Sequence, residues 1–447
     1  MEKAPTAAPD KAPADRSGHM AVAASDDTQG HVSFALAILL TACVAGLVGA
    51  ACALTLHVVQ HLAFGYALGD LWGDESFLDG VRAAAPSRRV VVLALCGVIA
   101  GVGWWLLFRF GRPLRSIAQV VDDPAHPMPV GATLVHGGLQ IVTVAMGSPV
   151  GREVAPREIA AMLGGWLSRR LGLTVADQRT VIACGAGAGL AAIYNVPLGG
   201  AVFTLEVLLK TLAPRQAVAA LTACTLGAYV AWTGLGDSVA YRIPALVMDR
   251  SLVIWAVLTG PVFGLAGLAY GRLTAASRAS ALTDARMIPA CLTVFAAIGI
   301  AAIFVPELLG NGHGPIQLGL EGEVGVRLAL ILIALKLIAV VLVLRAGAEG
   351  GLMTPAMTIG ALMALILGAG WGALTGAALM PGSYALIGAA ALLSVSMKMP
   401  LTAVILTMEF TRAAPDFLIP VSLAVAGACV TAAVASCNLG QHMRKGT

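Results

Sequence analysis

Pro197-Leu198-Gly199-Gly200-Ala201-Val202-Phe203-Thr204-Leu205-Glu206 returns 203 residues later as Pro400-Leu401-Thr402-Ala403-Val404-Ile405-Leu406-Thr407-Met408-Glu409. Both stretches open on Pro-Leu, place a Thr two residues before a Glu, and keep nine positions from Pro to Glu. Upstream of each lies a second matched pair, Gly151-Arg152-Glu153-Val154-Ala155-Pro156 and Gly350-Gly351-Leu352-Met353-Thr354-Pro355, offset by 199 residues. There Gly and Pro interrupt otherwise apolar runs. Corresponding segments broken by Gly and Pro in two duplicated halves point to a secondary transporter whose substrate site lies at the repeat interface.

Composition agrees with a membrane setting. The chain has 447 residues, 58% hydrophobic and 12% charged, with a mean hydropathy of +0.86. That leaves too little charged surface for a soluble globule of this size. Apolar runs near the length of about 20 residues that crosses a bilayer occur at 33–56, 90–108, 250–274, 287–305, 326–344 and 415–436. Runs at 131–147, 178–194, 196–212, 382–396 and 399–411 are shorter or Gly-broken and read as half-spanning or tilted helices. The expected fold is therefore an all-α polytopic bundle of two duplicated halves, which in many transporters form an inverted repeat. Its membrane domain covers 31–436, with halves at about 31–235 and about 250–436. Residues 1–30, rich in Ala, Pro, Asp and Lys, read as a disordered polar tail, and 437–447 as a short polar tail.

The net charge is only +4, and Arg88, Arg89, Arg169, Arg170, Arg444 and Lys445 sit near span ends rather than in one patch. Snorkelling and positive-inside bias account for them, and nucleic-acid binding does not. The eight Cys and eight His show no metal or redox spacing, so no metal and no cofactor is expected. An intramembrane enzyme would need paired Asp, a Ser/His pair or metal-ligand spacing, and the sequence offers none of these.

Ionisable residues in apolar segments are costly, which makes each a candidate functional group. Glu153 and Glu349 lie in the Gly/Pro-broken loops, where helix N-termini present free N–H groups and positive dipole ends to an anion. Glu153 fits two roles. It can compete with an anion for those donors and so couple anion movement to a proton, or it can merely cap the helix beginning near Pro156. Glu349 fits either a vestibule acid or a second protonatable group, and Glu158 reads as a first-turn companion or a partner of Arg152 or Arg157. Glu206 and Glu409, at equivalent places in the two halves, are expected to accept hydrogen bonds from a neighbouring re-entrant segment. Thr354 offers a hydroxyl beside the Leu352 and Met353 N–H groups, or a helix N-cap before Pro355. Tyr194 and Tyr384 can present phenols, although packing is the commoner role. Gly185, Gly187 and Gly189 form a face for close helix approach.

Gly151-Arg152-Glu153, the run Gly185-Ala186-Gly187-Ala188-Gly189-Leu190-Ala191-Ala192-Ile193-Tyr194-Asn195-Val196-Pro197-Leu198-Gly199-Gly200, Gly347 to Pro355, and Met399-Pro400-Leu401-Thr402 to Glu409 together resemble the CLC family of chloride channels and anion/proton antiporters. The resemblance spans about residues 33–436 in order. It implies a homodimer with an anion pathway in each subunit, a gating and proton-carrying Glu153, and an anion site at the Leu352 and Met353 N–H groups. Thr354, Gly351, Arg152 and Leu114 are implied as further contributors to that site. Departures accompany the match. Val154-Ala155-Pro156 follows the gate where Gly-Pro is common, Met353 and Thr354 replace the usual Phe and Ala, and Gly111-Arg112-Pro113-Leu114 stands where a serine-bearing loop is usual. No Tyr follows Tyr384, so the C-terminal tyrosine of the chloride site has no counterpart, and Val207 stands at the inner proton-relay glutamate. These changes resemble the bacterial fluoride-exporting branch. They imply export of cytoplasmic fluoride in exchange for protons across the bacterial inner membrane, with Glu349 a candidate on the proton path. A chloride or nitrate transporter or channel of the same fold is the alternative.

Overall fold

The computed structural model describes residues 16–66, 76–377 and 380–445. Among these residues the fold is helical throughout, with a single antiparallel bridge, Gly151 to Gly351, outside the helices. The first half contains α1 (Arg16–Phe64), α2 (Phe77–Ala83), α3 (Pro86–Phe110), α4 (Ile117–Asp122), α5 (Val130–Ala145), α6 (Val154–Arg170), α7 (Val175–Tyr194), α8 (Pro197–Phe203) and α9 (Pro214–Leu235). The second contains α10 (Arg250–Ala279), α11 (Met287–Phe304), α12 (His313–Glu321), α13 (Val326–Arg345), α14 (Met353–Thr375), α15 (Pro381–Ser396), α16 (Pro400–Thr411) and α17 (Leu418–Lys445).

The two halves repeat one packing plan. In the first, α1 packs on α7 and α9, and α6 on α7. In the second, α10 packs on α15 and α17, and α14 on α15. The halves meet where α3 packs on α11, where α8 packs on α16 and where the Gly151 and Gly351 peptides pair.

Among the described residues, eight helices have the length and apolarity to cross a bilayer. Six coincide with the runs named above. The other two, Pro214–Leu235 and Met353–Thr375, have the lowest window hydropathies of the eight, 1.5 and 1.8, because Gly, Ala and Thr dilute their larger apolar residues. The shorter apolar helices Val130–Ala145, Pro381–Ser396 and Pro400–Thr411 fall where broken or tilted segments were expected.

At the termini the structure differs from the sequence reading. Residues 1–15 of the expected disordered tail lie outside the described residues, and from Arg16 the backbone is already helical and continuous with the first span. No proline interrupts the chain between Pro13 and Pro86, and Ala21-Val22-Ala23-Ala24 favours helix. The polar segment from Cys437 likewise continues α17 as far as Lys445, since no proline follows Pro420.

Arg89 also departs from expectation, because it does not snorkel, whereas Arg88 stays exposed at its span end. Arg88 donates to the Leu62 and Ala63 carbonyls at the end of α1. Arg89 is buried and donates to Val81, Arg82 and Ala302, closing the ends of α2 and α11. Carbonyls of a last helical turn have no intrahelical donor and carry the negative end of the dipole, so a guanidinium satisfies both needs. Lys336, buried in the interior of α13, instead donates to the Leu308 and Gly310 carbonyls of the connection between α11 and α12.

Glu206 and Glu409 behave as the symmetric pair they were expected to be. Pro400 and Pro197 open α16 and α8 without an N–H, so the next two residues supply the free donors. Glu206 accepts from Leu401 N (2.9 Å), Thr402 N (2.7 Å) and Thr402 Oγ1 (2.6 Å). Glu409 accepts from Leu198 N (2.9 Å) and Gly199 N (2.5 Å). Each half thus caps the re-entrant helix of the other. Glu409→Ala should orphan both N–H groups at the start of α8, at about 1–3 kcal/mol for each buried group left unpaired. The expected result is a lower thermal midpoint in detergent, followed by size exclusion, with a comparable loss for Glu206→Ala.

Candidate functional site

The loop before α6 and the loop before α14 run antiparallel through one peptide pair. Gly151 N donates to Gly351 O (2.7 Å) and Gly351 N to Gly151 O (2.9 Å). This pairing brings the N-termini of α6 and α14 together, one from each half, deep in the bundle.

Glu153 lies at the start of α6 and is wholly buried. Its side chain makes no capping bond to its own helix, so the capping role is not the one it takes. Instead Oε1 accepts from the backbone N–H of Met353 in the first turn of α14, at 3.0 Å. Oε2 accepts from the Tyr194 hydroxyl at 3.2 Å. A carboxylate of the first half thus sits at the positive end of a helix of the second, where an anion is favoured by free N–H groups and by the dipole.

Two glycines form the seat. A Cβ on Gly151 would stand 2.1 Å from Glu153 Oε2, and one on Gly351 only 1.9 Å from Oε1. Any larger residue at either position would fill the space the carboxylate uses.

Tyr194 reaches the site because α7 ends on it. Asn195 follows in the left-handed conformation (φ 56°, ψ 51°) and turns the chain into α8. Its side chain is fixed by the Trp232 indole, which donates to Oδ1 at 2.7 Å, and by its own amide donating to Asp237 Oδ1 at 2.8 Å. The glycine face of α7 lets α6 approach: a Cβ on Gly185 would stand 2.7 Å from Ala160 O, and one on Gly189 2.5 Å from Pro156 O. The phenol lies within 3.1 Å of the Thr354 hydroxyl, so it joins Glu153 to Thr354. Thr354 is not the N-cap considered above. Leu352 holds that position without a side-chain bond, which leaves the threonine hydroxyl available to the site.

The structure therefore assembles Glu153, Gly351, Leu352, Met353 and Thr354 in one place. Arg152 stands beside them, its guanidinium carbon 5.2 Å from the centre of the Tyr194 ring. Leu114 is half-buried against the apolar cluster that also contains Val150, Ala155 and Leu352. Glu349 does not reach Glu153; it faces Arg278 Nε at 3.9 Å, while Arg278 Nη2 donates to Gly350 O at 2.6 Å. Tyr384 packs on Trp255 with ring centres 4.6 Å apart, the commoner aromatic role. The residues underweighted by sequence are Tyr194 and Gly151. The usable signals were the Asn after Tyr194, which ends a helix on the phenol, and the Gly immediately before the Arg-Glu pair.

Comparison with known proteins bears on the family and the fold. The profile of the family described as voltage gated chloride channel matches residues 96–433. A chloride channel protein of Ralstonia nicotianae, described as ClcB-like, is 30% identical over 411 residues, covering 87% of this chain and 92% of its own. Two solved structures share the fold at low identity. One, a slow cyanobacterial Cl⁻/H⁺ antiporter, has 18% identity and a TM-score of 0.76, covering 90% of this chain and 95% of its own. The other, a CLC-type fluoride/proton antiporter, has 17% identity and a TM-score of 0.61, covering 89% and 94%.

Gly351→Ala tests the seat directly. The added methyl should drive the Glu153 carboxylate back by about 1 Å or more to reach van der Waals separation. A cryo-EM map of the variant should show the side chain displaced from Met353 N while the helices stay in place.

Proposed function

Because the chain belongs to the voltage-gated chloride channel (CLC) family, a group of multi-span membrane proteins that move anions, we propose that it exchanges a halide for protons, with Glu153 as gate and proton carrier. The observation behind this reading is the Glu153 carboxylate resting on the Met353 N–H and the Tyr194 hydroxyl. Those donors suit a halide as well as a carboxylate oxygen, so anion and side chain take turns. While ionised, Glu153 holds the seat. Once protonated, it loses the charge that made the helix N-terminus favourable and leaves, and an anion enters. Release of the proton on the opposite side returns it. Leu352, Gly351, Thr354 and Arg152 line the same place and are assigned to the anion path. A homodimer in a bacterial inner membrane is the assembly and location that suit such a protein.

Chloride is the first anion we assign. The sequence argument for fluoride rested partly on a missing tyrosine, yet a phenol does reach the site, from Tyr194 in α7. The relative and one of the structural neighbours are also described by chloride. Fluoride is the second reading, favoured by the Thr354 hydroxyl beside the Met353 N–H. A small, strongly hydrated halide needs such short, strong donors to replace its water.

Three outcomes are expected in proteoliposomes. Glu153→Gln should abolish proton movement driven by an anion gradient, and undiminished proton uptake in that variant would remove Glu153 from the mechanism. Chloride efflux should exceed fluoride efflux from one vesicle preparation, and the reverse order would establish the second reading. Tyr194→Phe should weaken halide affinity about tenfold, as expected for a lost hydrogen bond to an anion, measured by isothermal titration on purified protein.

A further inference from the structure

A second buried polar group sits on α6, five residues beyond Glu153 and facing α5. Trp104 Nε1 donates to His136 Nδ1 at 3.0 Å. An indole N–H can only donate, so Nδ1 is the bare nitrogen and the neutral ring carries its proton on Nε2. That proton faces Glu158 Oε2, 3.6 Å away. The separation is too long for a hydrogen bond, and a closure of about 0.7 Å would make one. Protonating the imidazole fully would set two N–H groups against each other at Trp104, so His136 stays neutral and orients the acid.

Gln140, one turn from His136 on α5, is fully buried beside the Glu158 carboxylate. Neither its Nε2 nor its Oε1 meets a partner at hydrogen-bonding distance among the described residues, nor does Glu158 Oε2, although the Gln140 amide lies close enough to act on the Glu158 carboxyl. A carboxylate that serves only as a cap needs only donors, as Glu206 and Glu409 illustrate. Glu158 faces a donor in His136 Nε2 and, in Gln140, an amide with both a donor and an acceptor. Ionised, Glu158 can accept from His136 and Gln140 Nε2; protonated, it can donate to Gln140 Oε1. Both protonation states find partners, and this is what a group that repeatedly gains and loses a proton requires.

The pocket also has connections in two directions. Glu158 feels the charges of Arg157, Glu349 and Arg278, and the last two side chains are 35% and 43% exposed. Arg278 holds Gly350 O, one residue before the glycine on which Glu153 rests. Arg157, the neighbour of Glu158, stacks 4.3 Å from the Phe203 ring, four residues ahead of Val207. Along α6 the two acids are separated by about 7.5 Å of helix rise.

We propose that Glu158, positioned by His136 and Gln140, relays protons between the solvent-facing Glu349–Arg278 pair and Glu153, supplying the acid that Val207 lacks. Each step moves one proton from one carboxyl oxygen to another through intervening water, every transfer along the way breaking one O–H bond and forming one. The inference rests on the antiport reading above.

The full chain in proteoliposomes tests it, with anion flux and anion-driven proton flux measured together. Glu158→Gln should cut proton flux by more than about tenfold while anion flux falls far less. Glu158→Asp, which still carries a proton, should restore coupling. If Glu158→Gln does not yield folded protein by size exclusion, Gln140→Leu removes the two-way partner without altering charge and should lower the proton-to-anion ratio. An unchanged ratio in Glu158→Gln, or in Gln140→Leu where that variant is the one tested, with a coupled wild type overturns the relay alone. A wild type that moves anions and no protons removes the antiport reading and the relay with it.

Discussion

The pairing of two glycine peptides, Gly151 with Gly351, is the constraint from which the rest of the molecule follows. It fixes two loops from different halves in antiparallel contact and so points the N-termini of α6 and α14 at a common volume. Two positive helix ends placed together in a low-dielectric interior call for negative charge between them. Glu153 supplies that charge without a salt bridge to a buried cation. Glycine is required because each missing Cβ leaves the space in which the carboxylate rests.

The buried charges divide by how their surroundings treat them. Arg89 closes the carbonyl ends of α2 and α11, Lys336 holds carbonyls of the α11–α12 connection, and Glu206 and Glu409 each close an N–H end. These groups meet partners suited to a single charge state, so they stay as they are. Glu153 has one N–H and one hydroxyl, and the hydroxyl is shared with Thr354. Under the exchange proposed above, this is the hold that protonation releases. The membrane interior therefore distinguishes fixed from movable carboxylates by the number and kind of their donors, not by depth alone.

Much of this was legible in the sequence because the repeat is written in residues with a physical task. Pro at the first position of α8 and α16, and Glu nine residues on, mark two re-entrant helices and their reciprocal caps without reference to coordinates. The glycine face of α7 and the broken loops before α6 and α14 were equally plain. The role of Tyr194 was not, since whether a tyrosine points at a site or packs depends on the turn that follows it. The buried cap Arg89 was read as snorkelling because position near a span end says nothing about which carbonyls lie across the fold. The His136–Glu158–Gln140 pocket joins residues about two dozen positions apart, and its meaning depends on an indole from α3 that no spacing rule would connect to it.

The reciprocal caps have a consequence for biogenesis. While the ribosome is still making the second half, the Leu198 and Gly199 amides have no carboxylate to meet, because Glu409 does not yet exist. A vectorial insertion that seats each hairpin in lipid as it emerges would leave those amides bare in hydrocarbon. The first half must therefore wait in a partly hydrated or loosely inserted form until its counterpart arrives, and the two close together. Gene fragments encoding the halves separately would be unstable alone and should complement one another only when made in the same cell.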